Sequence, residues 1–224
     1  MNKTHAILFD LDGTLIDSNP EIVAAINHVR AIHGVAPISL EKMRPYISLG
    51  AAQMIKISSP ELVETQNFDE LLQAMLESYQ AKILNPPQLY PGIHEALTWL
   101  TEQNTPWGIV TNKNTQLTEA ILKHDTPLQH HQALVCGDTL PECKPDPAPL
   151  SLACEQLQVA PDQCIYAGDA STDMAACHAL NMPGWIAKYG YIHPKDNPES
   201  WPHSAIIDCP TQLLSLIKAH FSEQ

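Results

Sequence analysis

In the second half of the chain, short uninterrupted apolar runs alternate with longer stretches in which apolar positions recur every three or four residues. The runs are Trp107-Gly108-Ile109-Val110-Thr111, Ala133-Leu134-Val135-Cys136, Cys164-Ile165-Tyr166-Ala167, Gly184-Trp185-Ile186-Ala187 and Ala205-Ile206-Ile207, and an earlier one, His5-Ala6-Ile7-Leu8-Phe9, stands close to Met1. Short apolar runs of this kind read as strands buried on both faces, and the amphipathic stretches between them as helices. Helices are expected over 93–102, 116–124, 147–157, 172–180 and 211–220. Strands alternating with helices predict the α/β class: a doubly wound, Rossmann-like parallel sheet with helices on both faces.

Residues 15–85 break this rhythm. They read as helix after helix, including 20–32, opened by a proline suited to a first helical turn, and 68–83, with no convincing strand. The stretch closes on Asn85-Pro86-Pro87-Gln88-Leu89-Tyr90-Pro91-Gly92, a proline-rich return. This shift favours an α/β core made of 1–14 and 86–224, with an all-helical insert, 15–85, tied to it by two linkers, over extra helices packed on the one core. A chain of 224 residues is long enough for one domain plus such an insert.

Charge narrows the partners. With 12 Lys+Arg against 25 Asp+Glu, the formal net charge is −13, which repels nucleic-acid phosphate and anionic membrane alike. No charged segment followed by an apolar one precedes the first strand, and no apolar stretch approaches the roughly 20 residues that span a bilayer. The six cysteines are scattered without a CxxC pair, and read as reduced thiols of a cytoplasmic protein. A monomer and a homodimer are both compatible with this composition. An acidic protein that binds a phosphate ester must do so with a metal and a few placed cations.

Candidate chemistry collects at the strand ends, where open parallel sheets bind ligands. The first strand runs into Asp10-Leu11-Asp12-Gly13-Thr14-Leu15, two carboxylates one residue apart with a glycine that permits close backbone approach to an anion. The second ends on Thr111-Asn112-Lys113, whose hydroxyl and amide suit a phosphate oxygen. After the third comes Lys144-Pro145, and after the fourth Gly168-Asp169-Ala170-Ser171-Thr172-Asp173. Singly, each has an ordinary use: Thr111 or Asp169 as a helix cap, Lys144 as a surface charge. In this order, each at a strand end, they converge on one pocket.

This four-part order resembles the haloacid dehalogenase superfamily of phosphotransferases. The resemblance spans the whole chain, because the helical insert falls where that family carries its cap domain. It implies a phosphomonoesterase acting on a small phosphorylated metabolite with Mg²⁺ as cofactor. Asp10 would be the nucleophile and a metal ligand, with Asp169 a further ligand. Asp12 would ligate through its backbone oxygen and serve as general acid and base. Asp173 would be a ligand or a partner of the ligands. Thr111, Asn112 and Lys144 would hold phosphate oxygens as charge spreads over them. Retention of Asp12 favours phosphate over halide chemistry, since halide leaves without a proton. A sugar phosphomutase uses the same aspartates and stays open, as does a non-catalytic phosphate-binding scaffold of the same fold.

Substrate choice is expected in the insert, which would close over the site. Arg44, one of only two arginines, is positioned to pair with a substrate carboxylate or to sit on a helix surface. It leads into Tyr46-Ile47-Ser48-Leu49-Gly50, read as a substrate-facing loop in which Ser48 and Gly50 are candidate contacts. The pattern is similar to phosphoglycolate phosphatases, although Ser48-Leu49-Gly50 departs from the Gly-Asn-Gly-like loop common among them. It resembles N-acetylmuramic acid 6-phosphate phosphatases of bacterial cell-wall recycling more closely, through Tyr189-Gly190-Tyr191-Ile192-His193-Pro194, Asp196-Asn197-Pro198 and Trp201. That loop either lines the pocket or braces the linkers, with bracing preferred.

Overall fold

The computed structural model describes residues 6–83, 87–124 and 126–222. His5 of the first run, and Asn85 and Pro86 at the expected end of the insert, lie outside the described residues. Six strands, β1 (Ala6–Phe9), β2 (Trp107–Val110), β3 (Ala133–Val135), β4 (Cys164–Gly168), β5 (Gly184–Ala187) and β6 (Ala205–Ile207), form one sheet in the order β3-β2-β1-β4-β5-β6. Every neighbouring pair is parallel.

Alternation along each strand divides the core into two layers. Ile7 and Phe9 of β1, with Ile165 and Ala167 of β4, pack into one apolar cluster, while Ala6, Leu8, Cys164 and Tyr166 pack into the other. The first layer is covered by α6 (Ile93–Glu102), α7 (Thr115–Leu122) and α10 (Leu213–Ser222), the second by α8 (Ala148–Leu157) and α9 (Ser171–Ala179). These five helices fall within about two residues of the expected positions.

The insert holds α1 (Asn19–Ile32), α2 (Leu40–Met43), α3 (Ala51–Ser58), α4 (Pro60–Val63) and α5 (Phe68–Lys82). Its buried side chains, among them Ile22, Ile26, Ile55, Leu71 and Met75, continue the first apolar cluster without a break. Its two linkers run side by side: Asp17 N donates to Gln88 O at 2.8 Å and Tyr90 N to Leu15 O at 3.1 Å. The loop expected over Tyr46–Gly50 needs correction. Residues Arg44–Leu49 wind as a 3-10 helix, started by Pro45 in its first turn and stopped by Gly50 at φ 83°, where a left-handed backbone favours glycine. Among the described residues, no helix is long and apolar enough to cross a membrane.

Candidate active site

The strand order reverses around β1 and β4, and the site lies beyond their carboxyl ends, where crossover helices diverge and leave a crevice. Asp10 follows β1 directly, its N–H donating to Ala167 O at 2.8 Å, so the β1–β4 ladder fixes its position. Asp169 follows β4, and Asp173 lies in the first turn of α9. Oxygens from these three carboxylates approach within 4.8 Å of one another. Their residues are 8%, 1% and 1% exposed, and Lys144 beside them is 3% exposed.

Lys144 is the counter-charge. Its Nζ lies 2.8 Å from Asp10 Oδ1, 2.8 Å from Asp173 Oδ1, 2.5 Å from Tyr166 OH and 2.9 Å from Val110 O. Burial opposes charge on this lysine, but Asp10 and Asp173 outweigh it and hold its pKa above the ordinary value. Asp10 is pushed from 3.8 to about 6, by burial above all, against the pull of Lys144 and with help from Asp173 and Asp12. Asp169 is pushed well above the usual carboxylate range by burial and by Asp10 and Asp173. Buried carboxylates in this state lack positive charge.

The individual oxygens show where a cation fits. Asp173 Oδ2 accepts from Ala170 N at 2.9 Å, and its Oδ1 takes Lys144, so both its oxygens are used. Asp169 Oδ2 accepts from Tyr191 N at 2.6 Å and from Ser48 Oγ at 3.2 Å, while its Oδ1 is buried with no partner. Asp10 uses only Oδ1 among the described residues. An orphaned buried carboxylate oxygen costs free energy that a bound cation recovers. Oxygen-only donors suit a hard cation, so the residues fit a metal ion.

Asp12 stands apart from this group. Lys113 Nζ donates to both its oxygens at 2.6 Å and to Tyr79 OH of α5 at 2.9 Å. Burial opposes charge on Lys113, yet Asp12 and Tyr79 keep its pKa raised, and burial pushes Tyr79 to about 12. The carboxylate proposed for proton transfer is therefore held by a lysine from the sheet edge and, through it, by a tyrosine of the insert.

A cavity of about 270 Å³ opens between sheet and insert over these groups. Asp10, Asp12, Thr111, Asn112, Lys144 and Asp173 line its floor, and Ser48 and Gly50 its opposite side, so the structure brings these expected site residues together. Three others do not line it: Asp169, which meets Asp10 and Asp173 beside the floor, Arg44 and Gly13. Arg44 is spent at the linkers: it meets Asp17 at 3.3 Å, Tyr90 OH at 3.2 Å and Tyr189 O at 3.2 Å, and lies 5.0 Å over the Tyr191 ring. The expectation that it faces the cavity is corrected, because a carboxylate and three tyrosines hold it first. Gly13, at φ 88°, sits behind Asp169 rather than in the cavity lining, and a Cβ there would strike the Asp169 carboxylate and the Tyr191 ring. Its role here is to make room for Asp169.

Asn112 lines the floor, but its amide is engaged twice by Lys144, donating to the backbone O at 2.9 Å and accepting from the backbone N at 3.1 Å. It fixes the loop that delivers the lysine. The Tyr189–Trp201 loop lies against the linkers: Tyr191 OH donates to Asp17 at 2.8 Å and Tyr189 OH to Thr14 O at 2.8 Å. Tyr79, Tyr166, Tyr191 and Lys113 were not read as site residues. Lys113 adjoins Thr111-Asn112 and Tyr191 stands in the Tyr189–Trp201 loop, both singled out in sequence, whereas no local pattern marks Tyr79 or Tyr166.

Comparison with known proteins agrees with this geometry. The haloacid dehalogenase-like hydrolase family matches residues 7–186, and the chain belongs to that family. It is 34% identical over 215 residues to the N-acetylmuramic acid 6-phosphate phosphatase of Pseudomonas aeruginosa, covering 96% of this chain and 95% of that one. It is 38% identical over 207 residues to a phosphoglycolate phosphatase of Xylella fastidiosa, covering 92% and 90%. A crystal structure from Haemophilus somnus 129pt, described as a predicted phosphoglycolate phosphatase, superposes with a TM-score of 0.84 at 27% identity, covering 97% and 99%. Within the family the chain is thus a phosphatase, a hydrolase of phosphoric monoesters, and the mutase reading is not favoured.

Proposed function

We propose that this protein is a Mg²⁺-dependent phosphatase that hydrolyses a small phosphorylated metabolite, of the type of N-acetylmuramic acid 6-phosphate or 2-phosphoglycolate, through a phosphoryl group carried on Asp10. One observation carries the reading. Asp10 lines the cavity beside a buried lysine, with one oxygen unengaged among the described residues, and its carboxylate lies within 4.8 Å of that of Asp169, which has an orphaned buried oxygen. The names of the relatives supply the two substrate candidates.

Mg²⁺ would be held by Asp10, Asp169 and the backbone oxygen of Asp12, with Asp173 beside them, and would neutralise charge between the phosphate and the attacking carboxylate. Asp10 attacks phosphorus, and the bond from phosphorus to the ester oxygen breaks. Asp12 gives its proton to the departing alkoxide, help typically worth about 10²–10⁴-fold. Water then attacks the phosphoryl group on Asp10 and gives a proton to Asp12. Inorganic phosphate leaves, with Asp10 again a carboxylate and Asp12 again carrying its proton. Thr111 and Lys144 hold phosphate oxygens in both steps, and Asn112 keeps Lys144 in place. The helical insert acts as the cap that excludes water and encloses the alcohol.

Phosphate release from p-nitrophenyl phosphate and from the two candidate esters, with Mg²⁺ or with EDTA, tests the reading. Release is expected only with Mg²⁺, and Asp10→Asn should lower kcat by on the order of 10³-fold or more. Full activity of a folded Asp10→Asn sample, or activity indifferent to EDTA, would contradict it.

A further inference from the structure

The floor of the cavity explains the phosphate chemistry but says nothing of the alcohol that carries the phosphate. That part must meet the opposite wall, built by Ala51, Ala52 and Met54 of α3 and Leu72, Met75 and Leu76 of α5. Of its polar side chains, Ser48 donates to Asp169 and Tyr79 accepts from Lys113. Asn114, at the rim, caps α7 by accepting from Leu117 N at 2.9 Å.

Cations are equally committed. The two lysines that line the cavity are Lys113, paired with Asp12, and Lys144, paired with Asp10 and Asp173. Arg44 is held at the linkers by Asp17. Among the described residues, the cavity offers no cation that is not already matched by a carboxylate. A second anion on the substrate, if it lay against this wall, would lose its water and find no unmatched side-chain cation to replace it. Methyl and methylene groups placed there would gain what the anion loses.

Taking the phosphatase reading above as its basis, we propose that this site selects phosphate monoesters whose alcohol presents an uncharged, alkyl- or acyl-bearing body to the α3–α5 wall. It disfavours compact esters with a second anionic group next to the phosphate. In 2-phosphoglycolate the carboxylate is one carbon from the ester oxygen, too close to escape the cavity. A larger body can set apolar groups against the wall and carry any remote charge out to solvent. The residues that determine specificity are Ala51, Ala52, Leu72 and Leu76, each half-buried and lining the cavity.

The test compares kcat/KM for ethyl, butyl and hexyl phosphate and 2-phosphoglycolate, with Mg²⁺ present. The alkyl series should rise about threefold to fourfold per methylene until the wall is covered. 2-Phosphoglycolate should lie roughly tenfold or more below butyl phosphate. Leu72→Arg, or Leu76→Arg in its place, should raise the rate with 2-phosphoglycolate and lower it with hexyl phosphate. The wild-type series stands alone if either substitution prevents folding. A flat alkyl series with 2-phosphoglycolate preferred overturns the proposal while leaving the phosphatase reading intact. No Mg²⁺-dependent release from any ester overturns both.

Discussion

On the sheet side, Lys144 lies 2.8 Å from both Asp10 and Asp173, Lys113 holds Asp12 at 2.6 Å, and Asp169 accepts from Tyr191 N at 2.6 Å. On the insert side, α3 and α5 present methyl and methylene groups. The two halves solve different problems. The charged half concentrates carboxylates whose burial raises their pKa values, and it leaves one Asp169 oxygen buried without a partner. The apolar half is complete as it stands and can do no chemistry, but it can reward shape. One half should therefore answer to charge, metal and pH, and the other to volume.

The largest test of that contrast is Lys144→Met. It removes the cation between Asp10 and Asp173 and leaves them buried without a counter-charge. Breaking a buried pair in this way costs about 3–5 kcal/mol, which urea denaturation of the metal-free protein would read. Activity should fall mainly in kcat. Leu72→Ala on the opposite wall should cost only about 1 kcal/mol and act mainly on KM. Equal effects on stability and on kcat from both changes would erase the distinction.

A smaller effect is expected at Gly13→Ala. The added Cβ meets Asp169 and Tyr191 at a backbone angle that L residues rarely adopt. Mg²⁺ affinity, measured by titration calorimetry, should weaken by roughly 10- to 100-fold, the usual cost of disturbing what supports a ligand. Unchanged affinity would show that Asp169 is not the ligand its orphaned oxygen suggests.

The smallest effect is a drift of stability with pH in the metal-free protein. Asp10 is raised from 3.8 to about 6, burial being the main cause. Its contribution is complete below pH 3.8 and is lost as the pH rises through about 6, with Asp169 acting in the same sense. The melting temperature should fall through that window, and Mg²⁺ should offset the fall by favouring the ionised carboxylates. A metal-free melting temperature that rises instead would mean these carboxylates are better compensated than their contacts indicate.

The charged half was the more legible in sequence, for a physical reason. Asp10, Thr111, Lys144 and Asp169 follow apolar runs that have to be strands, and in a parallel sheet consecutive strand ends share one edge. What each side chain binds was harder to read. Asn112 and Arg44 are polar residues at plausible positions, yet one is engaged by the Lys144 backbone and the other by Asp17, Tyr90 and Tyr189. Those partners lie far away in sequence, and only the folded chain reveals the competition. The apolar half was legible only as amphipathic helix. Met75 is buried and Leu72 half-buried on the same helix, and both line the cavity, so helical spacing alone does not separate a packed position from one that faces a substrate. Tyr79 reads in sequence as one more core residue for the same reason.

The most direct test of the account is to quench the enzyme with acid during turnover of p-nitrophenyl phosphate and map phosphorylation by peptide mass spectrometry. A phosphoryl group is expected on the peptide containing Asp10, lost on alkaline treatment as an acyl phosphate should be, and absent from Asp10→Asn. A phosphoryl group on any other residue, or turnover with no phosphorylated peptide while chemistry is rate-limited by its removal, would contradict it.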